Sequence, residues 1–124
     1  MEVRLEGFEE AATALLAALE EEMPGAVDEV ARGIAEEAAA NHPYSNRTGL
    51  LEQRTVAGAT EGRFSEDDLR GEVLGDTRYG RFVDEGTSRM AARPFLAPAE
   101  QRKQGASGEA LEAGLRRAAE RAGW

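Results

Sequence analysis

Residues 48–76 read TGLLEQRTVAGATEGRFSEDDLRGEVLGD, and this stretch decides the fold class. Before it, apolar residues recur at helical spacing. Within it, Leu51, Gln53, Thr55, Ala57 and Ala59 alternate with Glu52, Arg54, Val56 and Gly58, and β-branched residues enter. Alternation at period two predicts a strand, with Val56 leaving open which face is buried. Arg70 to Asp76, carrying Val73 and Leu74, predicts a second strand pairing antiparallel with the first across polar connections at Glu61-Gly62 and Ser65-Glu66-Asp67-Asp68. Two strands are marginal alone, so a helix must lie across them, with neighbouring strands expected from partner subunits.

On the N-terminal side, Phe8, Ala12, Leu15, Leu16, Leu19 and Met23 form one helical stripe, with Glu9, Glu10, Glu20, Glu21 and Glu22 outside it. Val27, Val30, Ala31, Ile34 and Ala38 form a second stripe. Pro24-Gly25 either separates two helices or only kinks one long rod. The turn-rich run Asn41 to Asn46 closes this part. On the C-terminal side, Gln101 to Gly108 reads as a polar, mobile connection. Ser107 is a fair N-cap for a last helix striped by Leu111, Leu115, Ala118 and Ala122, with Arg116, Arg117 and Arg121 where the helix dipole favours positive charge. The sum is an α+β domain: N-terminal helices (1–43) on a small antiparallel hairpin (48–77), an arm (78–99) and a C-terminal helix (107–122).

The arm concentrates the chemistry. Arg78 to Ala99 holds three aromatics, four arginines and two prolines in 22 residues. Tyr79, Phe82 and Val83 make a short amphipathic turn, Gly86 breaks it, and Pro94 drives Ala92-Arg93 towards extended backbone. Pro98 suits the first turn of a following helix. The pattern reads as a stiff stalk presenting Phe95 and Leu96 to a neighbouring subunit, with Arg93 meeting an acid, or as a loop folding back on its own core. Asp84 is placed to accept hydrogen bonds from nearby backbone or to pair with an arginine. Trp124 is an interaction handle or lies on the last helix.

In Tyr79, Phe82, Val83, Asp84, Gly86, Thr87, then Ala92-Arg93-Pro94-Phe95-Leu96 and Pro98-Ala99, this segment resembles the small neck and tail-completion proteins of long-tailed phages. These are also known as minor tail components or head–tail joining proteins. Arg47-Thr48-Gly49-Leu50-Leu51 is a weaker match, and Glu85 departs from the aromatic usual after the acid. The resemblance implies a virion protein assembled in the host cytoplasm. It implies a homo-oligomer, a hexameric ring at the head-proximal end of the tail. Its partners would be the tail terminator and the head-closure or connector proteins, with double-stranded DNA passing unread. Its subunit-interface residues would be Tyr79, Phe82, Arg93, Pro94, Phe95, Leu96 and Trp124.

Composition narrows the alternatives. At 124 residues the chain makes one domain with a modest core, mostly alanine on the apolar side. It has no cysteine, and its only histidine, His42, sits in a turn with no acid partner evident. No phosphate loop is present, since Gly105-Ala106-Ser107-Gly108 lacks a preceding strand and a lysine in the P-loop position. Asp67-Asp68 and Asp84-Glu85 are sequence neighbours and so point to different faces. The expectation is therefore no catalytic residues, no metal, no cofactor and no enzyme. No apolar run is long enough to span a membrane. Net charge is −9, all of it in residues 1–43, and such a face repels DNA phosphates. It is expected to be solvated, on the outside or lining a channel. A small acidic adaptor or antitoxin-like module binding a basic partner is the alternative function.

Overall fold

The computed structural model describes residues 7–44, 49–77, 80–88 and 91–124. The element order is α1 (Phe8–Ala40), α2 (Leu50–Gln53), β1 (Thr55–Ala57), β2 (Val73–Gly75), α3 (Gly80–Glu85), α4 (Leu96–Arg102) and α5 (Gln104–Arg121). This is the expected α+β class, with helices dominating a two-stranded antiparallel ribbon.

The two N-terminal stripes belong to one helix. Pro24 lies inside α1 and removes the donor that would meet the Glu20 carbonyl, a cost of about 3 kcal/mol in an isolated helix. Met23 and Ala26, on either side of it, are both buried. Packing on both flanks therefore carries the helix through the proline.

α5 runs antiparallel along α1 and forms its most extensive partner. Gly114 lies so close that an added Cβ would sit 2.7 Å from the Ala26 Cβ. Ala18, Ala26 and Ala118 are buried along the same seam. The acids expected to be merely solvated are largely engaged. Arg117 Nε pairs with Glu22 Oε2 at 3.3 Å, and Arg121 holds both Glu21 and Glu22. Each exposed pair contributes little, but together they fix the register of two helices that share a narrow apolar seam.

The ribbon is shorter than the alternation suggested. Leu50–Gln53 is a helical turn entered through Gly49 at φ 73°, so Leu51 reaches the core from α2 rather than from a strand. Thr55 ends that turn by donating its hydroxyl to the Leu51 carbonyl at 2.7 Å. β1 and β2 then pair with Thr55 opposite Gly75 and Val56 opposite Leu74. Thr55 is buried, while Val56 and Leu74 are exposed, which answers which face is covered.

The polar connection between the strands and the segment expected to be mobile are both built. Phe64–Glu66 is a 3₁₀ turn whose Ser65 N–H donates to Glu20 Oε1 at 2.6 Å, and Asp68 Oδ1 accepts from Arg63 N at 2.7 Å. Residues 104–108 lie within α5, which starts at Gln104 rather than at a Ser107 cap. The two C-terminal helices are separated by Lys103 alone, whose N–H bonds back to Ala99 and Glu100.

Candidate functional site

The arm folds back on its own chain. Val83 of α3 packs inward, and beyond it Gly86 turns the chain with φ 80°. The strand-like return is pinned by Arg93 N–H donating to the Val83 carbonyl at 2.8 Å. Asp84 then closes the loop, its Oδ1 accepting from the N–H groups of Phe95 at 3.0 Å and Leu96 at 3.3 Å. These are free donors at the start of α4, where a carboxylate also meets the positive end of the helix. Of the two roles expected for Asp84, it takes the backbone-binding one. Pro98 falls in the first turn of α4, as its fixed φ favours.

Phe95 is the correction. Its side chain is 1% exposed and sits among Ala38, Tyr44, Leu51 and Ala99, with Leu96 packed against the same cluster. It meets Tyr44 edge-on, ring centroids 5.2 Å apart. Two glycines make room for it and for Leu51: a Cβ on Gly75 would lie 2.9 Å from Phe95 Cζ, and one on Gly80 3.0 Å from Leu51 Cδ1. Burying this ring within the subunit is worth about 2–3 kcal/mol, so it is not available as an anchor for another chain.

Other expected interface residues are at the surface. Phe82 is 51% exposed on the outer side of α3, beside an Arg81–Glu85 pair. Arg93 and Pro94 are exposed at the return of the loop. Trp124 is 59% exposed, yet it does not lie on its own helix: its Nε1–H donates to the Ala11 carbonyl on α1 at 3.0 Å. Tyr79 lies outside the described residues. The structure therefore gathers Phe82, Arg93 and Pro94 around one clamped loop, leaves Trp124 on the helical pair, and takes Phe95 into the core with Leu96 half-buried against it.

His42 also departs from expectation. It is stacked on Tyr44 at 3.7 Å, and its Nδ1–H donates to the Tyr44 carbonyl at 2.9 Å. Its Nε2 faces Glu52 Oε2 at 3.8 Å, an acid partner supplied by α2. The ring thereby covers the edge of the Phe95 cluster. Nearby, Arg102 joins α4 to the end of α1, through Glu37 Oε1 at 2.7 Å and the Asn41 carbonyl at 2.9 Å. That hydrogen bond, with Arg102's charge, holds the Glu37 carboxyl below its usual range, and Ser65 does the same for Glu20.

Among the described residues no cluster of three or more metal-ligating side chains occurs, and no helix is long and apolar enough to cross a membrane. One groove of about 520 Å³ opens between α1 and the first half of α5. Compared with known proteins, the chain matches no family model, no curated protein and no solved structure.

Proposed function

We propose that this chain is a structural protein of the neck of a long-tailed phage, one of several identical subunits joining tail to head as a ring. The Ala92-Arg93-Pro94-Phe95-Leu96 motif carries the reading, because its parts divide into a buried foot and an exposed loop. Phe95, Leu96 and Asp84 hold the arm to its own core, and Arg93, Pro94 and Phe82 are left at the surface on a rigid base. That is the form a docking element takes when a contact must be made without a large ordering cost.

The exposed Val56–Leu74 face of the ribbon adds a second apolar surface, and a head-to-tail ring needs two different surfaces on each subunit. The adaptor reading is weaker, since much of the α1 acid it would offer to a basic partner is taken by Arg63, Arg102, Arg117 and Arg121 of the same chain. The role is assembly rather than catalysis, with DNA passing the ring unread.

The test is a null allele in the phage or prophage that encodes the chain. Electron microscopy of the lysate is expected to show filled heads and free tails, with joined particles restored by the wild-type chain in trans. Normal yields of joined particles without it would overturn the reading.

A further inference from the structure

The apolar stripe of α1 outruns the elements that cover it. From Ala18 to Ala38 the helix buries a residue on almost every turn. Before that, Phe8 is 55% and Leu16 44% exposed, with Ala12 and Leu15 half-buried between them. Both neighbours stop short: the hairpin connection meets α1 at Glu20, through Ser65, and the tail of α5 ends where Trp124 meets the Ala11 carbonyl. Beside the bare stripe a shallow hollow of about 460 Å³ is lined by Glu9, Glu10, Thr13, Ala14 and Ala17. Neither glutamate has an ion-pair partner among the described residues, and α1 carries no lysine or arginine before Arg32.

Such a face calls for a partner that is apolar and basic. Two copies of the stripe would set Glu9 and Glu10 against their own kind, and the Val56–Leu74 face brings Glu72 with it, an acid unpaired among the described residues. The Phe82 face fits. Phe82 is 51% exposed, and beside it Arg93 is the one described arginine with no acid in ion-pair reach. The loop is already fixed at Val83 and Asp84, so it presents Arg93 with little left to order. It cannot reach the stripe of its own chain. The loop is anchored through Phe95 beside Ala38, thirty residues from Phe8 on one helix, a separation of about 45 Å.

We propose that the Phe82–Arg93 face of one copy seats on the N-terminal stripe of α1 in a second copy, Phe82 against Phe8 and Leu16, and the Arg93 guanidinium at Glu9 and Glu10. The two surfaces lie at opposite ends of α1, so the contact is heterologous and passes from copy to copy until it closes. It names the subunit contact of the neck reading and rests on that reading only for closure into a ring.

The experiment has two arms, both on the full-length chain. In the first, sedimentation across a concentration and salt series is expected to show reversible self-association that weakens as salt rises. Arg93→Glu and Phe82→Ser should each weaken it about tenfold, and Glu9→Gln with Glu10→Gln should remove most of the salt dependence. Phe82 and Arg93 lie outside the core, so unchanged thermal melts confirm that these variants are native. In the second arm, the absence of cysteine lets two single-cysteine variants be mixed and oxidised with every charge of the contact in place. Ala92→Cys is expected to form a covalent dimer with Thr13→Cys, and not with Ala106→Cys in the α1/α5 groove. A wild-type monomer at every concentration, wild-type affinity in Arg93→Glu or Phe82→Ser, or cross-linking no better at Thr13→Cys than at Ala106→Cys would overturn the contact. Self-association in solution is read without any virus, so this proposal and the neck assignment fail separately.

Discussion

Around Phe95 the chain buries large side chains, Tyr44, Leu51 and the ring itself, and places glycine where they need room. Along α1 and α5 it does the reverse: alanine and glycine let two backbones approach, and the edges are held by arginine–glutamate pairs. The first region draws its stability from volume, the second from proximity. The difference explains how a chain that is only 6% aromatic builds a domain at all. Of its few large residues, Tyr44, Leu51 and Phe95 are buried together at the foot of the arm, and the α1–α5 interface is thin enough that it is filled mainly by alanine. It also separates what each region tolerates. A core built on volume is harmed by truncation, and a seam built on proximity is harmed by enlargement.

The largest effect should come from Phe95→Ala, which empties the centre of the volume-built region. A loss of about 3–5 kcal/mol is expected in a denaturant titration. The unfolding transition should lose cooperativity before any assembly defect can be scored. A stability change within about 0.5 kcal/mol of wild type would mean that the ring is not the keystone of this cluster.

The reciprocal change is Gly114→Val, which thrusts a branched side chain at the Ala26 Cβ and towards the Met23 sulfur. Separating the helices should cost about 1–3 kcal/mol, despite the better helix propensity of the new residue. Gly108→Ala on the same helix is the control. Nothing lies within 4 Å of its added methyl, so it should raise stability by about 0.5–1 kcal/mol. Opposite signs at two glycines of one helix, measured as shifts in thermal midpoint, isolate proximity from propensity. Equal signs would dissolve the comparison.

The sequence carries these two regions unequally. Helical periodicity marks α1 well, because a 33-residue amphipathic helix states its face many times over. The ribbon's pairing is legible, but its length is not, since Gly49 in the left-handed region converts the first half of the alternating run into α2. Glycine misleads again at Gly105 and Gly108, where local propensity suggests a loop while α5 runs unbroken from Gln104. The arm's pattern, two prolines around an aromatic, reads equally well as a surface anchor. What could have moved Phe95 inward is the pair Gly75 and Gly80, whose missing side chains admit Phe95 and Leu51. His42's acid partner was hidden because Glu52 reaches it from a helix that the strand pattern did not show.

The smallest effect expected is a pH dependence at the join between the two regions. Glu37 and Glu20 both have carboxyls held below the ordinary glutamate value, Glu37 first by its hydrogen bond with Arg102 and Glu20 first by that with Ser65. A carboxyl whose pKa is lower in the fold than in the unfolded chain binds fewer protons when native. Its contribution to stability is present above the unfolded value and is lost as pH falls through the folded one. Stability should therefore decline as the solution is acidified below about pH 4.5. Glu37→Gln removes one of the two groups and should flatten that decline while lowering stability slightly at neutral pH. Both side chains lie at the protein surface with about a fifth of each still exposed, so screening should shrink the difference as salt is added. An acid-limb slope identical in wild type and Glu37→Gln would show that Arg102 holds α4 to α1 through the Asn41 carbonyl alone, with no share from the carboxylate.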